Sequence, residues 1–311
     1  MRMINGVLLL HKERGMTSHD CVFKVRKILH TKKVGHTGTL DPEVSGVLPI
    51  CIGRATKIVE YLTDKSKTYD AEITIGFSTT TEDQTGEVVE EKKVQKPISE
   101  DEIDAALKQF EGTIEQIPPM FSAVKIGGKK LYEYARAGIE IERPSREITI
   151  HRIERTTPVT FEDGNVSFRF TVLCSKGTYV RTLAVDIGKK LGFPAHMSHL
   201  IRTGSGDFTL DECMTLDELR DISEEGTVDE HLVPIERALN HLPKWEISDT
   251  LASKVENGAV LPMPDEFAHF AEGDRVAVFA PSGRCMAIYM KHPTKLKLMK
   301  PAKILSQDKQ S

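Results

Sequence analysis

The sequence predicts an α+β protein of two domains, residues 1–242 and 243–311, on three observations. "KTYDAEITIG" alternates with the two-residue period of a half-buried strand, placing Tyr69, Ala71, Ile73 and Ile75 on one face. "ISEDEIDAALKQFEG" has a helical period instead, with Ile103, Leu107 and Phe110 as its apolar stripe. Beyond Leu242 the texture turns to short apolar runs split by turn residues, as in a small β-rich unit.

The elements follow in order. "NGVLLLHK" reads as a first strand, too short and too closely followed by charge to be a signal peptide. "GMTSHD" opens a helix running to about His30, with Ser18 as its cap and Val22, Val25, Ile28 and Leu29 as its stripe. Residues 35–53, "GHTGTLDPEVSGVLPICIG", hold Gly35, Gly38, Pro42, Gly46 and Pro49 around Asp41. Glycine opens backbone angles closed to other residues and proline fixes its own, so a shaped loop is expected there rather than a helix or plain strand. These residue types suit a turn in which Asp41 caps neighbouring amides, and equally a loop that presents Asp41 to a ligand. A short helix near Thr56–Thr63 and the alternating strand come next, then a polar loop, "TTTEDQTGEVVEEKKVQ", with a brief strand.

Ser99 and Glu102 form a capping box for the next helix, and Gly112 is its expected stop. Residues 123–146 look like an excursion: basic, aromatic, punctuated by glycine, with one amphipathic helical turn. Strands are expected near 147–154 and 165–174, followed by a turn into the helix "GTYVRTLAVDIGKKLG" and acidic short helices over 211–230. In the second domain, "SDTLASKVENG" reads as a helix and "DRVAVFAP", "CMAIYMKH" and "KLKLMKPAKIL" as strands, with the last few residues disordered.

Net charge is −4, but it is segmental. Residues 1–70 carry 12 Lys/Arg against 7 Asp/Glu, and 123–155 carry 8 against 5. Residues 82–116 carry 4 against 11, and 211–236 carry 1 against 10. The basic stretches suit phosphate contact and the acidic ones a solvated face. No apolar run approaches the ~20 residues that span a bilayer. Five scattered cysteines without paired spacing argue against a disulfide framework and a structural zinc site, and fit a reducing cytosol best. His196 and His199 could share a helix face, but with no third clustered ligand they do not make a metal site.

"GHTGTLDPEVSGVLPICIGRATK" resembles the catalytic segment of the bacterial tRNA pseudouridine synthase B family. "KTYDAEITIG", "QIPPMFSAVKIGGKKLYEYARAG", "SKGTYVRTLAVDIG" and "AHMSHLIRTGSGDF" match it further, in the same order, across nearly all of residues 4–240. The resemblance implies a pseudouridine synthase catalytic domain, with a central mixed, mainly antiparallel sheet flanked by helices and loops. A small PUA-like RNA-binding domain would follow it. The implied reaction isomerises uridine 55 in the T-loop of tRNA. It breaks the N–C1′ bond, rotates the base and rejoins it through C5; nothing is oxidised, so neither redox cofactor nor metal is required.

By that resemblance Asp41 is the catalytic carboxylate, Arg181 the arginine that pairs with it, and Tyr69 the aromatic that stacks on the base and assists proton transfer at C5. Tyr179 and Leu200 match substrate-contacting positions, and His36 would fill the space left by the flipped nucleotide. "LIRTGSG" departs from the family pattern, which leaves the contacts after Leu200 open. Lys125, Lys129, Lys130, Arg136, Arg143 and Arg146, interleaved with Tyr132 and Tyr134, match an RNA-gripping insertion that is expected to be mobile without tRNA. The implied partner is the tRNA T-arm, with no membrane and no obligatory protein partner. Two other functions fit the residues: an RNA-binding or tRNA-folding factor with incidental catalysis, and a guide-RNA-dependent subunit of a larger complex.

Overall fold

A computed structural model describes residues 4–305, so the tail expected to be disordered lies outside the described residues. The strands of the first 242 residues are β1 Gly6–Lys12, β2 Val34–His36, β3 Ser45–Ile52, β4 Lys67–Ile75, β5 Phe77–Thr79, β6 Val88–Glu91 and β7 Gly112–Gln116. They continue as β8 Lys125–Ile126, β9 Lys129–Lys130, β10 Arg146–Arg155, β11 Thr160–Glu162, β12 Asn165–Cys174, β13 Ala195–Ser205 and β14 Phe208–Thr209. The helices are α1 Ser18–Ile28, α2 Val59–Thr63, α3 Glu100–Lys108, α4 Leu131–Arg136, α5 Val180–Lys190, α6 Leu216–Glu225, α7 Val228–His231 and α8 Ile235–Ala238.

The central sheet has the order β1-β3-β13-β4-β12-β10-β7. All its neighbours run antiparallel except β3 and β13, so the sheet is mixed and mainly antiparallel, as expected. Side chains alternate across it. Leu8, Leu10, Leu48 and Ile50 join one core with Val22 and Val25 of α1, Ile103 and Leu107 of α3, and Leu183 and Ile187 of α5. Val7, Leu9, Val47 and Cys51 face the other way, against the second sheet. That explains why β1 reads as an unbroken apolar run: it is buried on both faces.

The second sheet comprises β15 Lys244–Glu246, β16 Leu261–Pro262, β17 Arg275–Phe279, β18 Cys285–Lys291 and β19 Leu298–Ile304, with α9 Asp249–Glu256 against it. Its order is β15-β17-β18-β19-β16. Ala277, Phe279, Cys285 and Ile288 supply its side of the shared core with β1 and β3. Trp245, Phe267 and Tyr289 anchor a separate core of its own.

Several expectations are corrected. α1 is capped by Thr17, whose backbone is extended, in a capping box with Asp20, and the helix ends at Ile28 rather than His30. Ser18 is already helical and its hydroxyl instead accepts from Leu40 N at 2.8 Å and donates to Leu40 O at 3.2 Å. α3 stops at Lys108, and Gly112 opens β7 with φ +104°. Within residues 35–53 the expected shaped loop is confined to 37–44 around Asp41, while 35–36 and 45–52 are strand, because pairing with neighbouring strands outweighs the local glycine and proline signals there. Pro49 lacks an N–H, and β3 tolerates it because β2 pairs only with Ile50–Ile52 and β13 only with Ser45 and Gly46. His196 and His199 lie on strand β13, separated by a bulge, not on a helix face. The excursion ends before Arg146, which is the first residue of β10.

Candidate active site

Asp41 sits in the turn between β2 and β3, and three side chains from distant segments hold that turn. Lys12, at the end of β1, is wholly buried and donates to Pro42 O at 3.1 Å, Val44 O at 2.7 Å and Glu13 O at 3.0 Å. Burial pushes the Lys12 ammonium below the usual lysine range, against the opposing pull of Cys21, Asp41 and Glu43. Ser18 holds Leu40 from α1, and Arg202 reaches Gly38 O from β13. Lys12→Met would leave the Pro42 and Val44 carbonyls short of a donor, each at a cost of about 1–3 kcal/mol, partly offset because no charge is then buried. A lower melting temperature and a slower reaction are expected together; an unchanged melt would mean that the loop holds its shape without the lysine.

Arg181, in the first turn of α5, meets Asp41 at 2.9 Å between Nη2 and Oδ2. Its side chain is 5% exposed and that of Asp41 43%, so the guanidinium is fixed inside the protein while the carboxylate faces the pocket. Arg181 also donates to Thr81 O at 2.8 Å and Phe121 O at 3.0 Å. A planar fork meets three acceptors at once, which an ammonium on a flexible stem would not do in one orientation. Beside it, Thr182 donates to Glu82 at 2.6 Å, and burial raises the Glu82 carboxyl above its usual range.

The pocket in front of this pair has a volume of about 260 Å³. That is small beside the 300–1,000 Å³ common for ligand sites, and suits a single flat ring. Asp41, Tyr69, Tyr179, Arg181 and Leu200 all line it, so the structure brings five of the expected residues together. Burial raises the Tyr69 hydroxyl above its usual range, with Arg202 pulling the other way. Lys67, two residues before Tyr69, is pushed down to about 8 by burial and then by Arg202. The buried hydroxyls of Thr37 and Ser122, also in this lining, have no hydrogen-bond partner among the described residues.

His36 is not in the pocket lining; it precedes Thr37, and its Nδ1 accepts from Gly38 N at 3.3 Å. Burial holds its imidazole below the usual range, helped by His19 and Arg202. The excursion starts at the pocket, since Ser122 and Ala123 line it. Lys125, Lys129 and Lys130 lie on the β8–β9 hairpin, and Lys130 and Arg136 flank the Tyr132 ring at 5.4 and 5.3 Å. Buried Leu131 anchors α4, and Tyr134 Oη donates to Ile126 O. Arg143 donates to Pro118 O at 2.9 Å. Arg146 packs over the Tyr179 ring at 4.9 Å and donates to Gly177 O, so it buttresses the pocket instead of belonging to the excursion.

Gln116 was not foreseen. Its amide clamps the Tyr179 backbone, donating to O at 3.0 Å and accepting from N at 2.8 Å. Lys12 and Arg202 were also missed, and only Lys12 left a trace: a lysine closing an apolar strand. Among the described residues no group of three His, Cys, Asp or Glu side chains is placed to hold a metal ion.

Residues 26–180 match the family model for the TruB family pseudouridylate synthase N-terminal domain. Residues 181–240 match that for the tRNA pseudouridylate synthase B C-terminal domain. The chain is 95% identical over 309 residues to a tRNA pseudouridine synthase B of Bacillus pumilus (strain SAFR-032), covering 99% of this chain and 100% of that one. It is 70% identical over 305 residues to the tRNA pseudouridine synthase B of Bacillus subtilis (strain 168), covering 98% and 99%. Among solved structures, one from the crystal structure of a Cbf5-Nop10-Gar1 complex is 32% identical with a TM-score of 0.72, covering 96% of this chain and 84% of that one.

Proposed function

The chain belongs to the TruB family of pseudouridylate synthases, and from that premise we propose that it converts uridine 55 in the T-loop of tRNA to pseudouridine. The observation that carries the reading is the Arg181–Asp41 pair, 2.9 Å apart, facing a pocket lined by Tyr69, Tyr179 and Leu200. In the reaction the N1–C1′ bond breaks, C5 bonds to C1′, a proton leaves C5 and N1 gains one. Asp41 supplies the carboxylate that acts on the flipped nucleotide, and Arg181 keeps it charged and oriented. Tyr69 stacks on the base and takes part in proton transfer at C5, while Tyr179 and Leu200 confine the ring.

His36, the last residue of β2, fills the gap that the extruded nucleotide leaves, where unstacking costs a few kcal/mol. The hairpin and α4 grip the T-arm through Lys125, Lys129, Lys130 and Arg136, with Tyr132 between two of these cations. This excursion supports action on tRNA unaided by a guide RNA or a protein partner. The sheet built from residues 244–304 serves as the PUA-like RNA-binding domain. With tRNA as its substrate, the enzyme works in the cytoplasm.

Unmodified tRNA carrying tritium at C5 of uridine 55 tests the reading, because forming the new C–C bond releases that hydrogen to water. The purified chain alone should release one equivalent per tRNA without added cofactor. Tight tRNA binding with no release would instead favour the RNA-folding role. Release that began only after a guide RNA and further proteins were added would favour the guided one.

A further inference from the structure

Arg202 is the largest fully buried side chain in the described protein, and it lies in "LIRTGSG", the stretch whose contacts the sequence left open. A charge so deep is costly unless it is hydrogen-bonded, and those bonds show what it organises. Nε donates to Val47 O at 2.7 Å and Nη2 to Gly38 O at 3.3 Å, three residues before Asp41. Across the sheet Arg202 is paired directly with Tyr69 of β4 on one side and Gly46 of β3 on the other. Directly paired residues project to the same face, so the Arg202 side chain lies beside that of Tyr69, and both line the pocket.

The backbone has been shaped for this approach. A Cβ on Gly46 would lie 2.2 Å from Arg202 O, and its φ of +121° is itself a glycine conformation. Only a glycine lets β3 come this close to Arg202. One side chain therefore lies beside Tyr69 on β4 and also holds β3 and the turn that carries Asp41.

We propose that Arg202 is a positioning residue: its guanidinium fixes the Tyr69 hydroxyl relative to the Asp41 loop for the proton transfer at C5. The proposal rests on the roles given to Tyr69 and Asp41 above. A lysine could reach one of these carbonyls, but its ammonium lacks the planar fork that holds Val47 O and Gly38 O at once while lying beside Tyr69. The same pocket also holds the cations Lys67 and Arg181 and the Asp41 carboxylate, and Cys174 lies across on β12. Cys174 and Asp41 work against an ionised phenol, and Arg202 favours it.

A double-mutant cycle in single-turnover tritium release tests this, with Arg202→Met and Tyr69→Phe made singly and together. Arg202→Met is expected to slow the wild-type reaction by about 30- to 100-fold, within the range of a displaced acid–base group, with tRNA affinity changed less than about threefold. In the Tyr69→Phe background the same change should cost less than about threefold, because the hydroxyl it positions is already gone. Arg202→Lys keeps the buried charge and is read in its place if the Met variant melts below the assay temperature. The limb of its pH–rate profile that reports ionisation of the Tyr69 hydroxyl should move to higher pH. Equal losses in both backgrounds would overturn the proposal and make Arg202 a general brace of the sheet. Full activity of Tyr69→Phe alone would instead remove the role given to Tyr69, and this proposal with it.

Discussion

Asp41→Asn is expected to lower the rate of tritium release by at least about 10⁴-fold while tRNA affinity stays within about twofold of wild type. Asparagine matches the carboxylate in shape and can still meet a guanidinium hydrogen through its carbonyl oxygen. It cannot attack carbon or stabilise positive charge there. The loop should survive the change, because Lys12, Ser18 and Arg202 hold backbone atoms of Gly38, Leu40, Pro42 and Val44, not the Asp41 side chain. Binding measured by filter retention beside single-turnover release separates the two effects. A rate above one per cent of wild type would move the chemistry to another group; lost binding would make Asp41 a substrate-holding residue instead.

Arg181→Met should cost about 10²–10³-fold in the same assay, the scale of removing one well-placed electrostatic partner. The loss has two parts. Asp41 would no longer be held on Oδ2, and the Thr81 and Phe121 carbonyls would lose their donor in the interior. The second part lowers stability as well as rate. Arg181→Lys retains a charge near Asp41 but not the three-way fork, and should fall between Met and wild type in rate. If Lys matched Arg, charge alone would suffice and the fork geometry would be incidental. Thermal melts of both variants separate a folding defect from a catalytic one.

The elements that sequence revealed were those whose signals are local. β4 shows its two-residue period through Ala71, Ile73 and Ile75, all buried as expected, and the Ser99–Glu102 box marks the start of α3. β3 was misread because its glycines and prolines are local loop signals, whereas its strand state comes from β1 and β13. The Thr17 cap was missed by one residue because Thr17 and Ser18 have equal capping chemistry; the extended backbone at Thr17 decides between them. Among site residues, Asp41, Tyr69, Tyr179, Arg181 and Leu200 were named through family motifs, and they line one pocket. Lys12, Gln116 and Arg202 were not, since most of what they bind is the backbone of distant segments, which carries no residue-type signature.

The sequence by itself determined the α+β class, through local period and capping chemistry, and the ordered family motifs that name the candidate site residues. Only the tertiary structure decided that Arg181 is buried and Asp41 open, that Arg146 packs over Tyr179, and that Arg202 lies beside Tyr69 and reaches Gly38 O. Those facts depend on which segments the sheet brings side by side, and hydrogen bonds to backbone carbonyls exist only once the chain has closed.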